Sequence, residues 1–186
     1  MRADARANRE AVVAAATAEI ATRGGDISLT AVADAAGVGI GTLYRNFPTR
    51  DDLINAVLTE VESRLLATVE RYRSQMETDP HLGWDAFGHA VADLRPGALV
   101  SAFAAEFVTD DHLAPSLEER RTRSLAAVQQ IVDQAKRAGL VRDDLTAAQF
   151  QMGIASITRP LPDVGVPRLA QHEAWLIDVY LRGLRP

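Results

Sequence analysis

The chain has no cysteine and a single lysine, Lys136, among its 186 residues. Without thiols there is no disulfide framework and no thiolate zinc site, which fits a reducing cytoplasm. No apolar run approaches the ~20 residues needed to cross a bilayer, so no membrane partner is expected. The opening MRADARANRE is charged and leads straight into a helical pattern, which argues against a secretory signal. His81, His89, His112 and His172 are scattered, without the HExxH or paired spacing of a metal site. There is no P-loop and no dinucleotide fingerprint. Gly37-Val38-Gly39-Ile40-Gly41 is rich in glycine but follows no strand pattern. Ser101 and Ser156 have no evident base or oxyanion partner. The expectation is therefore a protein that is not an enzyme and needs no cofactor or metal.

What is present is helix-forming material. Hydrophobic residues make up 47% and charged residues 24%, ordinary for a folded domain with a sizeable core. Alanine is abundant, and arginine supplies all the basic residues but one; both favour helix. No strand pattern, internal repeat or low-complexity tract is evident. The expectation is an all-α protein of about nine helices. The formal net charge is −5, but it is unevenly spread. Residues 1–50 hold six Arg against five Asp/Glu, or +1, and residues 51–186 hold fourteen basic against twenty acidic, or −6. An anionic partner would have to be met locally at the N-terminal end, not through overall charge.

Ser28 to Arg50, SLTAVADAAGVGIGTLYRNFPTR, is the stretch around which the chain is organised. It reads as two short helices joined by a tight turn. Ser28 caps the first. Val32, Ala33 and Ala36 face inward, and Ala33 is small enough for the helices to cross closely. Gly37 supplies the left-handed turn, and Leu43 points back into the small core with Phe47. That is helix-turn-helix spacing. The second helix, from about Ile40 to Phe47, presents Gly39, Ile40, Thr42, Tyr44, Arg45 and Asn46 outward, a surface suited to a DNA major groove. Arginine can donate twice to guanine and asparagine can pair with adenine, so Arg45 and Asn46 are the expected base readers. Ile40 can touch a thymine methyl. Thr30, on the first helix, reaches a phosphate or base edge or is simply exposed. Gly39 and Gly41 either admit DNA close to the backbone or relax the turn.

The run Gly41-Thr42-Leu43-Tyr44-Arg45-Asn46-Phe47, followed by Pro48, Thr49 and Arg50, resembles the signature of the TetR (tetracycline-repressor-like) transcriptional regulators. The resemblance covers roughly residues 6 to 55; beyond that it rests on size and helical layout. It implies an N-terminal helix-turn-helix domain, residues 1–50, and a larger helical regulatory and dimerisation domain, residues 51–186. It also implies phosphate and base contacts from Thr42 and Tyr44. Arg50 opens helix 4, where the helix dipole welcomes a phosphate.

The remaining punctuation is clear. Helix 1 should run to about Arg23, with Val12, Ala16 and Ile20 on one face and Gly24-Gly25 as its stop; Arg2, Arg6 and Arg9 form either an arm on phosphates or a frayed end. Thr49 and Asp52 make a capping box for a helix to about Met76. Asp79-Pro80 opens helix 5, which ends near Arg95-Pro96-Gly97. Helix 6, about Ala98 to Val108, is apolar all round, which predicts burial at the centre of a bundle. Helix 7 runs to about Ala138, with Gly139 as its stop and Glu118-Glu119-Arg120-Arg121 as a solvated face. Thr146 and Gln149 cap helix 8, and helix 9 runs from about Pro167 to Leu184.

By resemblance, the last two helices join a second copy in a four-helix bundle. Phe150, Ile154, Ile157, Trp175, Leu176 and Val179 would carry that interface, unless they pack within one subunit. By resemblance also, the second domain holds a small-molecule effector. Trp84, Phe87, Phe103, Phe107 and Phe150 would line its cavity, with His89, Glu106 and Gln151 as polar handles, unless these rings merely fill core. The reading is a cytoplasmic, ligand-responsive repressor that binds a near-palindromic double-stranded DNA operator as a homodimer. A constitutive regulator without an inducer, an activator, and an enzyme or carrier sharing the helical bundle are the alternatives.

Overall fold

The computed structural model describes residues 2–23, 27–109, 112–113, 115–160 and 172–186, with backbone alone at 2–3, 104–109, 112 and 113. Among these, nine α-helices follow one another: α1 (Arg2–Arg23), α2 (Leu29–Ala35), α3 (Ile40–Asn46), α4 (Arg50–Thr78), α5 (Pro80–Asp93), α6 (Pro96–Phe107), α7 (Pro115–Arg137), α8 (Ala147–Ile157) and α9 (His172–Gly183). A two-residue antiparallel pair, β1 (Val108–Thr109) and β2 (His112–Leu113), closes the α6–α7 connection. It is too short for strand alternation to register in a sequence. The fold is all-α, as the composition implied. No described helix is long and apolar enough to cross a membrane.

The helix ends follow local chemistry. Ser28 Oγ accepts from the Ala31 amide at 3.4 Å. Thr49 and Asp52 satisfy each other's backbone amides at 3.1 and 3.0 Å, so the capping box is complete. Asp79 caps α5 with Pro80 in its first turn, and Thr146 with Gln149 caps α8. Gly139 ends α7 at φ +67°. Gly24-Gly25 and residues 161–171 lie outside the described residues, so the expected stop of helix 1 and start of helix 9 fall there.

Two cores form. The first packs Val12, Ala16, Ile20, Val32, Ala33, Leu43 and Phe47 together with Leu53, Ile54 and Val57 of α4. It also takes Ala102 and Phe103 from α6. The first core thus continues past Arg50 into α4 and α6. The second core gathers α4, α5, α7, α8 and α9 around Trp84, Phe87, Val132, Phe150, Ile154 and Ile177. The 29-residue α4 serves both.

Helix α6 departs from expectation. It is not buried all round: Ala98, Ala102 and Phe103 are covered, but Val100 is 51% exposed. The helix runs along α1 on one side and α8 on another, which leaves a third strip open. Likewise Arg120 is not part of a merely solvated face. Its guanidinium donates to Glu62 at 2.7 Å and to Thr59 at 2.9 Å. Arg123 reaches the same carboxylate at 2.9 Å. Glu62, only 12% exposed, thereby fastens α7 to α4.

Helix α9 turns Ile177 and Leu181 inward and leaves Trp175 and Val179 outward. Tyr180 fixes it on α8, its hydroxyl donating to the carbonyls of Gln149 at 3.1 Å and Phe150 at 3.2 Å. Burial pushes that phenol up to about 12.

Candidate nucleic-acid interface

The turn between α2 and α3 is built as its residues require. Gly37 sits at φ +66°. Its amide donates to Asp34 O at 3.1 Å, and the Val38 amide donates to Ala33 O at 3.0 Å. These bonds satisfy carbonyls at the end of α2 and reverse the chain. Gly39 then caps α3, its carbonyl accepting from Thr42 and Leu43. Leu43 is the one buried residue of α3, and Phe47 closes the core behind it.

The other face of α3 is open. Ile40 is 41% and Tyr44 50% exposed. Gly39, Gly41 and Arg45 are exposed, while Thr42 and Asn46 are half-buried. Thr30 is exposed on the neighbouring α2, and Arg50 stands half-buried at the start of α4. Both expected base readers have polar atoms tied to their own helix. Arg45 Nε donates to Gly41 O at 3.1 Å and its terminal nitrogen approaches Thr42 Oγ1 at 3.3 Å. The Asn46 amide donates to Thr42 O at 2.9 Å. Contact with a base would exchange these bonds for intermolecular ones.

Arg9 is not part of a loose arm. It belongs to α1, donates to the Asn46 backbone carbonyl at 2.9 Å and lies 4.2 Å over the Phe47 ring. It therefore holds the C-terminal end of α3 against α1, where an orphan helix carbonyl needs a donor. Sequence reasoning missed this. The available signal was the spacing: Arg9 precedes the core residue Val12 by three, on the same helical face.

The described residues expected to line an effector cavity are spread over both cores and the surface. Trp84, Phe87 and Phe150 pack on one another in the second core with ring centroids 5.1–6.4 Å apart, Phe87 and Phe150 stacked and Trp84 tilted against both. Phe103 packs in the first core instead. His89 pairs with Asp178 of α9 at 2.9 Å near the surface. Gln151 is half-buried on α8, and the side chains of Glu106 and Phe107 lie outside the described residues. Of the expected interface residues, Phe150 and Ile154 are fully buried within the chain and have no surface left to offer a second copy. Ile157 and Leu176 are half-buried.

Another hollow is present. A half-open groove of about 780 Å³ runs between α1, α4 and the α5–α6 turn, with Arg9, Val13, Ala18, Ala56, Arg64 and Arg95 among its walls. None of the described residues expected to bind an effector lines it.

The comparisons with known proteins agree with this geometry. Residues 12–57 match the model of bacterial regulatory proteins of the tetR family. Residues 84–186 match the model described as transcriptional regulator SbtR-like, C-terminal domain. Among solved structures, the chain is similar to the TetR transcriptional regulator SCO0520 from Streptomyces coelicolor, at 28% identity and a TM-score of 0.67, covering 96% of this chain and 98% of that one. It is similar to a TetR transcription regulatory protein from Mycobacterium vanbaalenii at 28% identity and a TM-score of 0.60, covering 100% and 99%. The fold alone is shared with the ketosteroid transcriptional regulator KstR2 of Mycobacterium tuberculosis, at 20% identity and a TM-score of 0.60, covering 96% and 95%. No match is found among curated proteins. A helix-turn-helix with its reading face open, on a helical body that a family model matches over more than half of the chain, makes this protein a DNA-binding transcriptional regulator that belongs to the TetR family.

Proposed function

We propose that this regulator is a cytoplasmic, ligand-responsive repressor that binds a near-palindromic operator as a homodimer. Residues 1–50 read the DNA, and residues 51–186 hold the two copies and sense the effector. Thr30, Gly39, Ile40, Thr42, Tyr44, Arg45, Asn46 and Arg50 form the DNA surface. The observation that carries the reading is at the opening of α3. Among the described residues a Cβ at Gly39 or Gly41 would meet nothing within 4 Å, and Gly39 lies at an unstrained φ of −68°. The fold itself does not demand glycine there, whereas a DNA backbone approaching the helix start would. Two heads about one helical turn apart would occupy successive major grooves. An effector that favours misplaced heads would oppose DNA binding reciprocally.

The test is a mobility shift with the DNA upstream of its own gene, titrated with salt. Arg45→Ala and Asn46→Ala are expected to lose about 1–3 kcal/mol on a matched operator and little on a scrambled duplex. Equal losses on both would assign the residue to the DNA backbone instead.

Arg9→Ala gives a second expectation. The loss of a charge-assisted hydrogen bond and a cation–π contact should lower operator affinity by about tenfold. The slope of log affinity against log salt should not change, because Arg9 seats α3 and touches no phosphate. A slope smaller by about one would show that Arg9 does meet a phosphate.

A further inference from the structure

We infer that Glu62 is a positioning residue for operator recognition: through it α7 splints α4 and fixes where α4 places the DNA-reading head. The inference rests on the two-headed reading above and names what sets the half-site spacing that the protein accepts. Helix α4 belongs to both cores. Leu53, Ile54 and Val57 are buried in the first, and Leu65, Val69 and Met76 in the second. Glu62 lies between the two groups, about 18 Å along the axis from Arg50. A tilt of about 10° at that point would carry the start of α4 by about 3 Å, close to one base step of about 3.4 Å. The head that rides on this end would miss its base edges by a similar distance.

The splint is visible in its register. Arg120 donates to Thr59 Oγ1 at 2.9 Å, Arg123 to Glu62 at 2.9 Å and Gln134 to the Arg73 carbonyl at 3.5 Å. Each of these bonds spans 61 positions, so α7 runs parallel to α4 in a single register. Val128, Ile131 and Val132 pack in the core between its ends. The end nearest the head is ionic. Arg120 donates to one oxygen of Glu62 and Arg123 to the other, so the carboxylate is gripped from both sides. Ala102 and Phe103 of α6 also touch the first core, but that contact is apolar. Apolar contact is non-directional and lets helices tilt at little cost. Two guanidinium groups on one carboxylate fix an orientation. An ion pair held at this depth adds little net stability over apolar packing, so what it supplies here is direction.

The test uses the full chain and two variants. Glu62→Gln keeps the size and removes the charge. Glu62→Leu combined with Arg120→Leu replaces ions by apolar contact and should keep the melting temperature near that of the wild type. The chain has no cysteine, so spin labels on Ala35→Cys in the head and Asp143→Cys in the body are unique. Both positions are exposed. Labelled chain is diluted into unlabelled chain, and the distance between the labels is read by dipolar spectroscopy. The wild type should give one narrow distribution, and both variants should broaden or shift it by about 3 Å. An unchanged distribution in the double variant would overturn the splint, because packing alone would then hold α4. Should the double variant not fold, Glu62→Gln decides by the same criterion.

A second arm reads the consequence on DNA. The two half-sites of the operator are moved apart or together by one base pair. The wild type should lose at least about tenfold in affinity, and both variants less than about threefold, with binding to an isolated half-site unchanged. A merely structural role for Glu62 would weaken half-site and whole-site binding alike and keep the spacing preference. That result would overturn the assignment. A wild-type protein indifferent to spacing would instead remove the two-headed reading, while the label distances would still decide the splint.

Discussion

Gly97→Ala is expected to destabilise the protein by at least about 3 kcal/mol, a drop in melting temperature of roughly 6–12 °C for a chain of this size. A Cβ at this position would overlap the Ala155 carbonyl oxygen and stand 2.5 Å from Arg159 N and 2.8 Å from Thr158 C. All three obstacles are backbone, so no rotamer change relieves them. The Gly97 amide also donates to Thr158 Oγ1 at 3.0 Å, and that hydroxyl, fully buried, donates to Ile154 O at 2.9 Å. Moving α6 away to admit the methyl would break this pair and expose it. It would also draw Ala102 and Phe103 out of the first core, so the damage should spread to the DNA-reading head. Gly139→Ala is the internal comparison. Gly139 has φ +67° but nothing within 4 Å of its Cβ position, so only backbone strain applies, of about 1 kcal/mol. Thermal melts of the two variants should differ by several degrees. Equal melts would mean that close approach of the backbones is not what holds α6 to α8.

That contact shows where legibility in the sequence ended. Local chemistry was readable because it acts within a few residues. The Ser28, Thr49, Asp79 and Thr146 caps and the Gly37 turn stand where their residue types require. Long-range choices were not readable. Nothing in ALVSAFAAEFV says that Val100 faces out while Phe103 joins the core under the head. On α9 the sequence offered two apolar strips. Ile177 and Leu181 took the interior, and Trp175 and Val179 were left outside. Periodicity marks the strips but not the order in which neighbours claim them. The exposed face of α3 was legible because a local turn fixes it. The brace from Arg9 was not, because it spans 37 positions. The groove escaped for the same reason: α1, α4 and the α5–α6 turn that wall it are far apart in the chain.

Val179→Asp should convert the proposed dimer to a monomer and cut operator affinity by about a hundredfold or more. Met152 on α8 is 68% exposed, Trp175 on α9 is 53% exposed and Val179 is 41% exposed. Tyr180 ties the two helices together, so these side chains ride on one rigid pair. Large apolar groups left outside a packed bundle are the kind of surface that a contact between copies would cover. The proposed twofold contact would cover them with their equivalents from a second copy. A carboxylate introduced there would be buried twice, once from each subunit, without a cation provided for it. Trp175→Ala removes area without adding charge and should weaken association less. Sedimentation of each variant reads the assembly, and mobility shifts on whole and half operators read the DNA. The head is far from the substitution in the chain and keeps its own core, so the monomer should retain weak half-site binding. A Val179→Asp protein that still sediments as a dimer would move the interface to another face, and the spacing of the two reading heads would have to be derived again from that face.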